Sequence, residues 1–244
     1  MKAVVLAAGR GKRLGRLGNV FQKCMYPLWD RPFLAYVLDV LTSFSEIEHL
    51  YIVVGHKGCQ IKEYFGCEWR NREISYVTQH APYGTADALY TAFCAFRFFS
   101  EEPILVVLGD VIPEKEIIEK LLKHPSNRDN VLTVINHPCK KEDHARITLN
   151  TNTGKDFYKV EKAWNGSGPF VDTGQWILQP RTIGYMGRLV QGERRILQAV
   201  EAMLPEINTV AYVAKMWLHL GDEPSLKSNL DRLLKFTKEW NCNA

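Results

Sequence analysis

The sequence has no long hydrophobic run and no paired cysteine motif. No apolar stretch approaches the roughly 20 residues that a membrane-spanning helix requires, and the chain shows no signal-peptide core. The six cysteines form no C-x-x-C pair and no zinc-ribbon spacing. We therefore expect a cytoplasmic protein with reduced, buried thiols and no association with membranes.

Strong charge of one sign is also missing. The net charge of +4 is spread along 244 residues, so the sequence shows no footprint of nucleic-acid binding. Low-complexity segments, internal repeats and long linkers are absent. With 46% hydrophobic residues the chain can bury a full α/β core, and we predict one domain over 1–244.

Two familiar phosphate-binding loops are absent from the N-terminal region. The dinucleotide fingerprint G-x-G-x-x-G would need glycine at position 14, where the chain has Leu14. The P-loop needs serine or threonine after Gly11-Lys12, and Arg13 stands there instead. A phosphate site in this region must therefore be built differently.

The N-terminal region does contain a short apolar strand followed by a basic, glycine-rich loop. Residues 3–7 read as a buried strand. Gly9, Gly11 and Gly15 follow it, interleaved with cationic side chains. Glycine lets backbone N–H groups approach a ligand closely, and cations supply the charge that a polyphosphate needs. This pattern predicts a phosphate-binding loop.

Strands and helices alternate in the first half of the chain. The predicted strands are 3–7, 49–54, 74–78 and 104–108, and the predicted helices are 33–44, 60–65, 86–99 and 114–123. Such alternation is typical of a parallel sheet with right-handed crossovers. We predict an α/β fold with a Rossmann-like, doubly wound, mostly parallel sheet, whose nucleotide-binding half covers about 1–130.

Beyond about residue 130 the regular alternation of strands and helices ends. Strand-like segments at 131–136, 146–149, 157–161 and 175–178 are separated by turns, and predicted helices at 193–203 and 224–240 close the chain. This pattern favours a small, mixed, acceptor-binding lobe within 131–244.

The N-terminal stretch resembles the signature of the sugar-phosphate nucleotidyltransferases, also called nucleotide-sugar pyrophosphorylases. Their L-A-G/A-G-x-G-x-R-L opening, then a lysine and a proline-containing turn, matches 6–14, Lys23, Pro27 and Pro32. Five motifs follow the family's order between Leu6 and about Leu230. The resemblance implies an enzyme that condenses an NTP with a sugar 1-phosphate, giving an NDP-sugar and pyrophosphate.

The length of the chain suggests the short members of that family. It leaves no room for the C-terminal β-helix of longer pyrophosphorylases. Short members make activated sugars, or other activated phosphate compounds, for surface polysaccharides and secondary metabolites. The oligomeric state, including a homo-oligomer, is left open by the sequence.

The resemblance places the nucleotide on the N-terminal half. The implied nucleotide-binding residues are Leu6, Ala7, Ala8, Gly9, Gly11, Lys12, Gln79, Gly84 and Thr85. Arg13, helped by Lys12, would neutralise the triphosphate and the departing pyrophosphate. Gln79 can both donate and accept hydrogen bonds, as contact with a base edge requires.

The segment after Gln79 also has a structural interpretation. Gly84-Thr85 could be an ordinary loop–helix junction with Thr85 as the N-cap. The Thr85-Ala86-Asp87 variant of the motif is similar to that of adenylyl-transferring members of the family, which points to ATP.

Asp110 is the predicted metal anchor. It follows the predicted strand 104–108, and ligands bind at the carboxyl edge of open α/β sheets. The alternative is a turn cap before Pro113. By resemblance, Gly109-Asp110 would hold Mg²⁺ between the two substrates.

The second metal position of the family differs in this chain. The segment 217–221, Trp-Leu-His-Leu-Gly, is similar to the W-x-D-I/T-G motif, and His219 replaces its metal-binding aspartate. Imidazole suits Mn²⁺, Co²⁺ or Zn²⁺ better than Mg²⁺, so the ion held by Asp110 and His219 could be another divalent metal. His219 could instead bind the substrate phosphate, or mark a non-catalytic regulatory homologue that binds nucleotide sugars.

The acceptor residues are implied by resemblance alone. The family's V-E-K-P motif is similar to 160–163, where Ala163 replaces the proline. Lys162, with Lys23, would hold the attacking phosphate. Glu161 would accept a hydrogen bond from a sugar hydroxyl. Without that resemblance, an adjacent Glu-Lys pair at a strand end is interpreted as a solvated surface pair.

Three further positions complete the implied acceptor set. A predicted turn at 172–174 ends on Gly174, which would lie behind the acceptor. Ala145 stands where many relatives have a sugar-contacting glycine, and Trp217 lies in the last motif. Acceptor identity therefore stays open, and phosphocholine or another non-sugar phosphate is the alternative to a sugar 1-phosphate. A metal-dependent glycosyltransferase would need D-x-D, which Gly109-Asp110-Val111-Ile112 lacks.

Overall fold

The computed structural model describes residues 1–11, 20–96, 102–137, 145–152, 156–189, 192 and 194–221. The strands are β1 (Lys2–Ala7), β2 (Pro27–Leu28), β3 (Arg31–Pro32), β4 (His49–Val54), β5 (Glu68–Trp69), β6 (Arg72–Thr78), β7 (Ile104–Leu108), β8 (Val111–Ile112), β9 (Asn130–Asn136), β10 (Arg146–Asn150), β11 (Phe157–Lys162), β12 (Phe170–Leu178), β13 (Thr209–Val213) and β14 (Leu218–His219). The helices are α1 (Phe33–Thr42), α2 (Gly58–Phe65), α3 (Thr85–Phe96), α4 (Lys115–Leu122), α5 (Pro180–Met186) and α6 (Ile196–Met203). None of these helices has the length and apolar character that a bilayer crossing demands.

The centre of the fold is a ten-stranded sheet with a block of four parallel strands, and β5 adds an antiparallel edge strand beside β6. Strands β6, β4, β1 and β7 are neighbours in that order, and each adjacent pair is parallel. The chain thus builds outward from β1 through β4 to β6, and then returns to the other side of β1 to form β7. This order confirms the predicted Rossmann-like, mostly parallel sheet.

Strand β1 is central because side chains on both of its faces are apolar. Ala3, Val5 and Ala7 pack on one face with α1, α2 and α4, whereas Val4 and Leu6 pack on the other with α3, α5 and α6. A strand covered by helices on both faces requires such a continuous apolar run. Helices on the two faces make the sheet doubly wound, as predicted.

The strands of the second half continue the same sheet. Strand β12 is antiparallel to β7 on one side and to β9 on the other, and β13 is parallel to β9. Strands β10 and β11 form the edge. The mixed part is therefore hydrogen-bonded directly to the nucleotide half through β12.

One predicted turn is a strand bulge. The segment 172–174 lies inside β12, where the register with β9 shifts between Asp172 and Trp176. Gly174 has φ +89°, and a Cβ atom there would lie 2.6 Å from Leu108 Cδ1. The turn was predicted from the similarity of 172–174 to a family turn, whereas Gly174 lets β12 cross closely over the end of β7.

The expectation of buried thiols is wrong for three of the four cysteines in the described ranges. Cys24 is buried, whereas Cys59, Cys67 and Cys94 are exposed. Cys94 lies on the outward side of α3, and only the opposite side of that helix is buried. Helical periodicity alone did not show which side faces the sheet.

Some predicted helix ends differ from the observed ends, and others lie outside the described residues. The helix predicted at 86–99 begins at Thr85 and is described as far as Phe96. The helix predicted from 193 begins at Ile196. The helix predicted at 224–240 lies outside the described residues.

A buried carboxylate ties the short β2–β3 hairpin to α1 and to the β5–β6 turn. Asp39 is 4% exposed and accepts from Arg31 Nη1 at 2.5 Å and from Trp69 Nε1 at 2.8 Å. Arg70 Nε donates to it at 3.1 Å, and the Arg31 guanidinium lies 4.1 Å from the centre of the Tyr36 ring. Three segments therefore depend on one anionic side chain.

Replacing Asp39 with alanine should lower the free energy of unfolding by about 3 kcal/mol, because the partly buried donors of Arg31 and Trp69 lose their buried, charged acceptor. Urea denaturation measures this change. The matched control is Asp156→Ala, since Asp156 is exposed and pairs with Lys120 at the surface. That control should leave the unfolding curve almost unchanged, and an equal loss in both variants would contradict the role given to Asp39.

Candidate active site

A cleft of about 690 Å³ opens at the carboxyl ends of β1 and β7. These strands are neighbours, but the crossovers leading from β1 and into β7 run to opposite sides of the sheet. Ligands of open α/β sheets bind at such a switch point. Residues of β12, β14 and α6 close the other side of the cleft, so both halves of the chain line it.

The loop after β1 forms the floor of the cleft. Ala8, Gly9, Arg10 and Gly11 line it, and Gly9 and Arg10 are exposed. Gly11 has φ +64°, a conformation that favours glycine. At Gly9 and Gly11 the backbone therefore faces the cleft without a side chain of its own, as a phosphate-binding loop requires.

Gln22 holds this loop and the following 3-10 turn together. It is fully buried, and its Nε2 donates to the carbonyl of Ala7 at 2.6 Å and to that of Gly9 at 3.4 Å. Its Oε1 accepts from the Cys24 N–H at 2.5 Å. One side chain thus sets the position of the glycine loop relative to Lys23, which begins the turn.

Lys23 and Asp110 face each other across the switch point. Lys23 Nζ donates to Asp110 Oδ2, and the two side chains are 11% and 22% exposed. The N–H of Gly109 donates to the carbonyl of Leu6 at 2.9 Å, which extends the β1–β7 ladder up to Asp110. Burial raises the pKa of the neighbouring Cys24 thiol, so that group stays neutral.

The C-terminal motif reaches the same place through a small second sheet. Strands β8 and β14 pair Val111 with His219, and the Leu220 N–H donates to the Asp110 carbonyl at 2.8 Å. The His219 ring stacks on Trp217, with centroids 4.0 Å apart and planes at 27°. His219 is therefore held in the cleft close to Asp110, a pairing that the sequence pattern suggested.

The donor set fits a cation that is shared with a substrate. Mg²⁺ is commonly held by one or two carboxylates together with substrate phosphates. Asp110 offers one partly buried carboxylate, and His219 offers imidazole nitrogen in the same cleft. Across the described part of the chain, no three histidine, cysteine or acidic side chains form a metal-binding group. A divalent ion placed between these two side chains would therefore need further oxygen ligands from a bound substrate.

The far end of the cleft is formed by the turn after β6, which is fastened to the segment before α6. Arg194 N–H donates to the Tyr83 carbonyl at 2.6 Å, and Ala86 N–H donates to the Arg194 carbonyl at 3.0 Å. The Thr85 hydroxyl accepts from the Ile196 N–H at 3.3 Å. Thr85 is thus the first residue of α3 and bonds to another segment, so the N-cap interpretation is wrong.

Gly84 makes this close approach possible. It has φ +106°, and a Cβ atom there would lie 2.3 Å from the Arg194 carbonyl oxygen. Gln79, just before this turn, is 9% exposed and lines the cleft. Its backbone N–H donates to the Val54 carbonyl at 2.8 Å, which fixes it at the end of β6.

The second half contributes an aromatic and polar wall. Trp164, Asp172, Thr173, Trp176 and Arg195 line the cleft. The Arg195 guanidinium lies 5.7 Å from the Trp164 ring centre, and Trp176 Nε1 donates to Asp172 Oδ1 at 2.8 Å. Apolar surface with a few fixed polar groups is the usual lining of a small-molecule site.

Burial raises the pKa of the Asp172 carboxyl to about 7, against the opposing effect of hydrogen bonds from Trp176 and the Gly174 N–H. In the unfolded chain this carboxyl ionises near pH 3.9. Between these values the folded state binds the proton more strongly, so the contribution of Asp172 to stability falls as pH rises towards 7.

The Asp172→Asn variant should therefore gain stability relative to the wild type between about pH 4 and pH 7. The gain is at most about 1.4 kcal/mol per pH unit, and it levels off above pH 7. Urea denaturation of both proteins at several pH values measures the difference. A difference that does not change with pH would contradict this assignment.

The structure brings most of the predicted site residues to one cleft. Those that line it are Leu6, Ala8, Gly9, Gly11, Lys23, Gln79, Gly84, Thr85, Asp110, Ala145, Trp217 and His219. Gly174 lies behind it against Leu108, and the side chain of Ala7 packs on the opposite face of β1. Glu161 and Lys162 are exposed at the end of β11 and are not among the residues that line the cleft. Lys12 and Arg13 lie outside the described residues.

Several contributors were not identified from the sequence. Gln22, Arg194, Arg195 and Trp176 carry no motif, and they reach the site only through the fold. The doublet Arg194-Arg195 was a signal that could have been noticed, since adjacent cations just before a helix are suited to anionic partners.

Comparison with known proteins gives a family match. A family model described as "MobA-like NTP transferase domain" matches residues 3–222. The chain is 29% identical over 206 residues to the bifunctional protein GlmU of Methanococcus maripaludis, a match that covers 83% of this chain and 46% of that protein. It is 27% identical to the UTP–glucose-1-phosphate uridylyltransferase AglF of Haloferax volcanii, with 86% of each covered. The chain thus spans about half the length of the GlmU relatives that it matches.

Solved structures share the fold. UDP-glucose pyrophosphorylase complexed with UDP-glucose superposes with a TM-score of 0.82 at 18% identity, covering 96% of this chain and 98% of that one. The inositol-1-phosphate CTP transferase of T. maritima gives 0.76 at 15% identity, covering 96% and 94%. At these identities the likeness concerns the fold alone.

Proposed function

Because the chain belongs to the MobA-like NTP transferase domain family, we propose that it is a nucleotidyltransferase that joins a nucleoside monophosphate to a sugar 1-phosphate. The observation that carries the proposal is the cleft at the β1–β7 switch point. There a glycine loop, the Lys23–Asp110 pair and the polar wall of the second half meet. The uridylyltransferase that aligns over 86% of the chain supports a sugar 1-phosphate as the acceptor.

In the proposed reaction, a phosphate oxygen of the acceptor attacks the α-phosphorus of the NTP. A new P–O bond forms, the bond between the α-phosphorus and its bridging oxygen to the β-phosphate breaks, and pyrophosphate leaves with the electron pair. Two polyanions must approach each other, so positioning and charge neutralisation supply most of the catalysis.

Different residues of the chain bind the nucleotide and neutralise the charge of the two substrates. The backbone of 8–11 holds the phosphates of the nucleotide, and Gln79 with the Gly84 turn holds the base. Lys23 attracts the attacking phosphate and neutralises it. Arg13 and Lys12, which follow the loop in sequence, add charge for the leaving pyrophosphate.

A divalent ion, when bound, would neutralise the α-phosphate oxygens between the two substrates. Asp110 would hold it, with His219 close by in the cleft. Glu161 and Lys162 are proposed to meet the acceptor from the end of β11, and Ala145 and Trp217 from inside the cleft.

A non-sugar phosphate is the second candidate acceptor. It is favoured by one structural neighbour, the inositol-1-phosphate CTP transferase. Ala145 also favours a non-sugar acceptor, since it stands where sugar-binding relatives are expected to have glycine. Inositol 1-phosphate and phosphocholine are therefore included with the sugars in the test below.

Mass spectrometry of one pooled reaction tests both candidates. The protein is incubated with the four ribonucleoside triphosphates and dTTP, with Mg²⁺ or Mn²⁺, and with sugar 1-phosphates, inositol 1-phosphate and phosphocholine. We expect one new nucleoside-diphosphate product and an equal amount of pyrophosphate. If folded protein forms neither product, the proposal is overturned and the regulatory homologue is favoured.

A further inference from the structure

The side-chain amide of Gln79 is held in a single orientation by its neighbours. Its Nε2 donates to the Gly84 carbonyl at 3.1 Å and to Asp87 Oδ2 at 2.8 Å. A carbonyl and a carboxylate can only accept, so nitrogen and not oxygen must face them. Both amide hydrogens are thereby engaged, and Oε1 is the atom that Gln79 has left for a ligand.

Asp87 is in turn held by a cation from the second half of the chain. Arg194 Nη1 donates to Asp87 Oδ1 at 3.1 Å, on the other oxygen from the one that Gln79 uses. The Asp87 side chain is 17% exposed, and the Arg194 guanidinium lies 5.0 Å from the centre of the Tyr83 ring. Turning the Gln79 amide over would set its oxygen against the carboxylate and the Gly84 carbonyl, with little water to screen them.

The position of Gln79 within the cleft matches the base of a nucleotide. Gln79 follows β6, and Asp110 follows β7, three strand spacings away in the sheet. At about 4.8 Å per spacing this separates them by about 14 Å. The cations Arg10 and Lys23 and the backbone of the glycine loop attract phosphates to the Asp110 end of the cleft, so the uncharged base extends towards Gln79 at the other end.

We propose that Asp87 and Arg194 are positioning residues that present Gln79 as a hydrogen-bond acceptor only, and that the site selects nucleotides whose base carries a ring N–H. This inference rests on the proposed nucleotidyltransferase function. Uracil and thymine carry that hydrogen at N3, and guanine carries it at N1. Each can donate it to Gln79 Oε1.

Cytosine and adenine present a lone pair at the corresponding ring nitrogen. A glutamine that recognised them would accept from the exocyclic amino group and donate to that ring nitrogen, but the hydrogens of Gln79 are already engaged. Their lone pair would therefore be left desolvated without a donor. This prediction differs from the ATP suggested by the resemblance of 85–87 to adenylyl-transferring members.

Calorimetric titration of the full-length chain with Mg²⁺ and single nucleotides tests the preference without an acceptor. UTP is compared with CTP, and GTP with ATP, because the members of each pair are matched in size. One of the two pairs will have the higher affinity. Within that pair, the nucleotide with the ring N–H (UTP or GTP) should bind at least about tenfold more tightly than its partner. N3-methyl-UTP should lose the advantage of UTP over CTP.

Each outcome separates the two proposals. Equal or tighter binding of CTP or ATP, relative to its partner in the pair with the higher affinity, would overturn the inference and leave the nucleotidyltransferase proposal standing. Absence of binding by every nucleotide would overturn both.

The Asp87→Asn variant tests the positioning role. Asparagine can donate to Gln79, so the Gln79 amide can turn, and the preference within the pair should fall below about threefold. Loss of a purely structural side chain would instead weaken both nucleotides equally. The matched control is Asp156→Asn on the surface, which should keep the wild-type ratio.

Arg194→Gln gives an independent measurement should Asp87→Asn fail to fold. It removes the cation that holds Asp87 and should likewise reduce the ratio. An unchanged ratio in a folded variant at either position would overturn the positioning role.

Discussion

Replacing Asp110 with alanine should reduce turnover by on the order of a thousandfold or more, equivalent to about 4 kcal/mol of transition-state stabilisation. Among the residues that the structure describes, Asp110 is the acidic group that pairs with Lys23 at the β1–β7 switch point. Its loss removes the metal anchor and leaves Lys23 without its partner. Pyrophosphate release measured with the acceptor found in the pooled reaction gives the rate.

Folding must be checked separately, and the chain offers a matched control. Asp110 is 22% exposed, so the variant should melt within a few degrees of the wild type. Asp156→Ala removes an exposed carboxylate that also pairs with a lysine, and it should keep the full rate. Lys23→Ala combined with Asp110→Ala should lose little more than the worse single variant, because the two side chains act together. A near-normal rate in folded Asp110→Ala would refute the site.

Replacing Gly84 with alanine should weaken nucleotide binding at least tenfold and lower the free energy of unfolding by about 3 kcal/mol. Two causes add up. The backbone at φ +106° is strained for any residue with a Cβ, and that atom would lie 2.3 Å from the Arg194 carbonyl oxygen. The turn must then separate from the 194–196 segment, and Gln79 loses one of its two fixed partners.

Gly66→Ala separates the clash from the strain. Gly66 also has positive φ, at +60°, but a Cβ there meets nothing within 4 Å. That variant should lose stability through backbone strain alone, less than Gly84→Ala loses, and it should bind nucleotide normally. Urea denaturation and calorimetry measure both quantities. If the two variants lose the same stability and the same affinity, the contact with Arg194 has no special importance.

The sequence was most informative where a local pattern has one structural solution. An apolar run that ends in Gly9 and Gly11 could form a buried strand followed by a bare loop, and β1 has that form. Asp110 directly follows a second apolar run, which placed it at the same sheet edge without any knowledge of the intervening chain. These inferences needed only side-chain hydrophobicity and glycine geometry.

The sequence was least informative where the partner lies far along the chain. Gln22 looks like any polar residue, yet it is fully buried and binds the end of β1. Asp87 and Arg194 are 107 positions apart and give no joint signal, although together they set the orientation of Gln79.

The sequence by itself determined the parallel strands of the first half, the glycine loop and the position of Asp110 at the sheet edge, because periodicity and turn chemistry are local. The tertiary structure decided the bulge at 172–174, the pKa of Asp172 and the orientation of the Gln79 amide. Each of these depends on packing between β7 and β12 or between α3 and the segment before α6. Such contacts arise only when the sheet is complete.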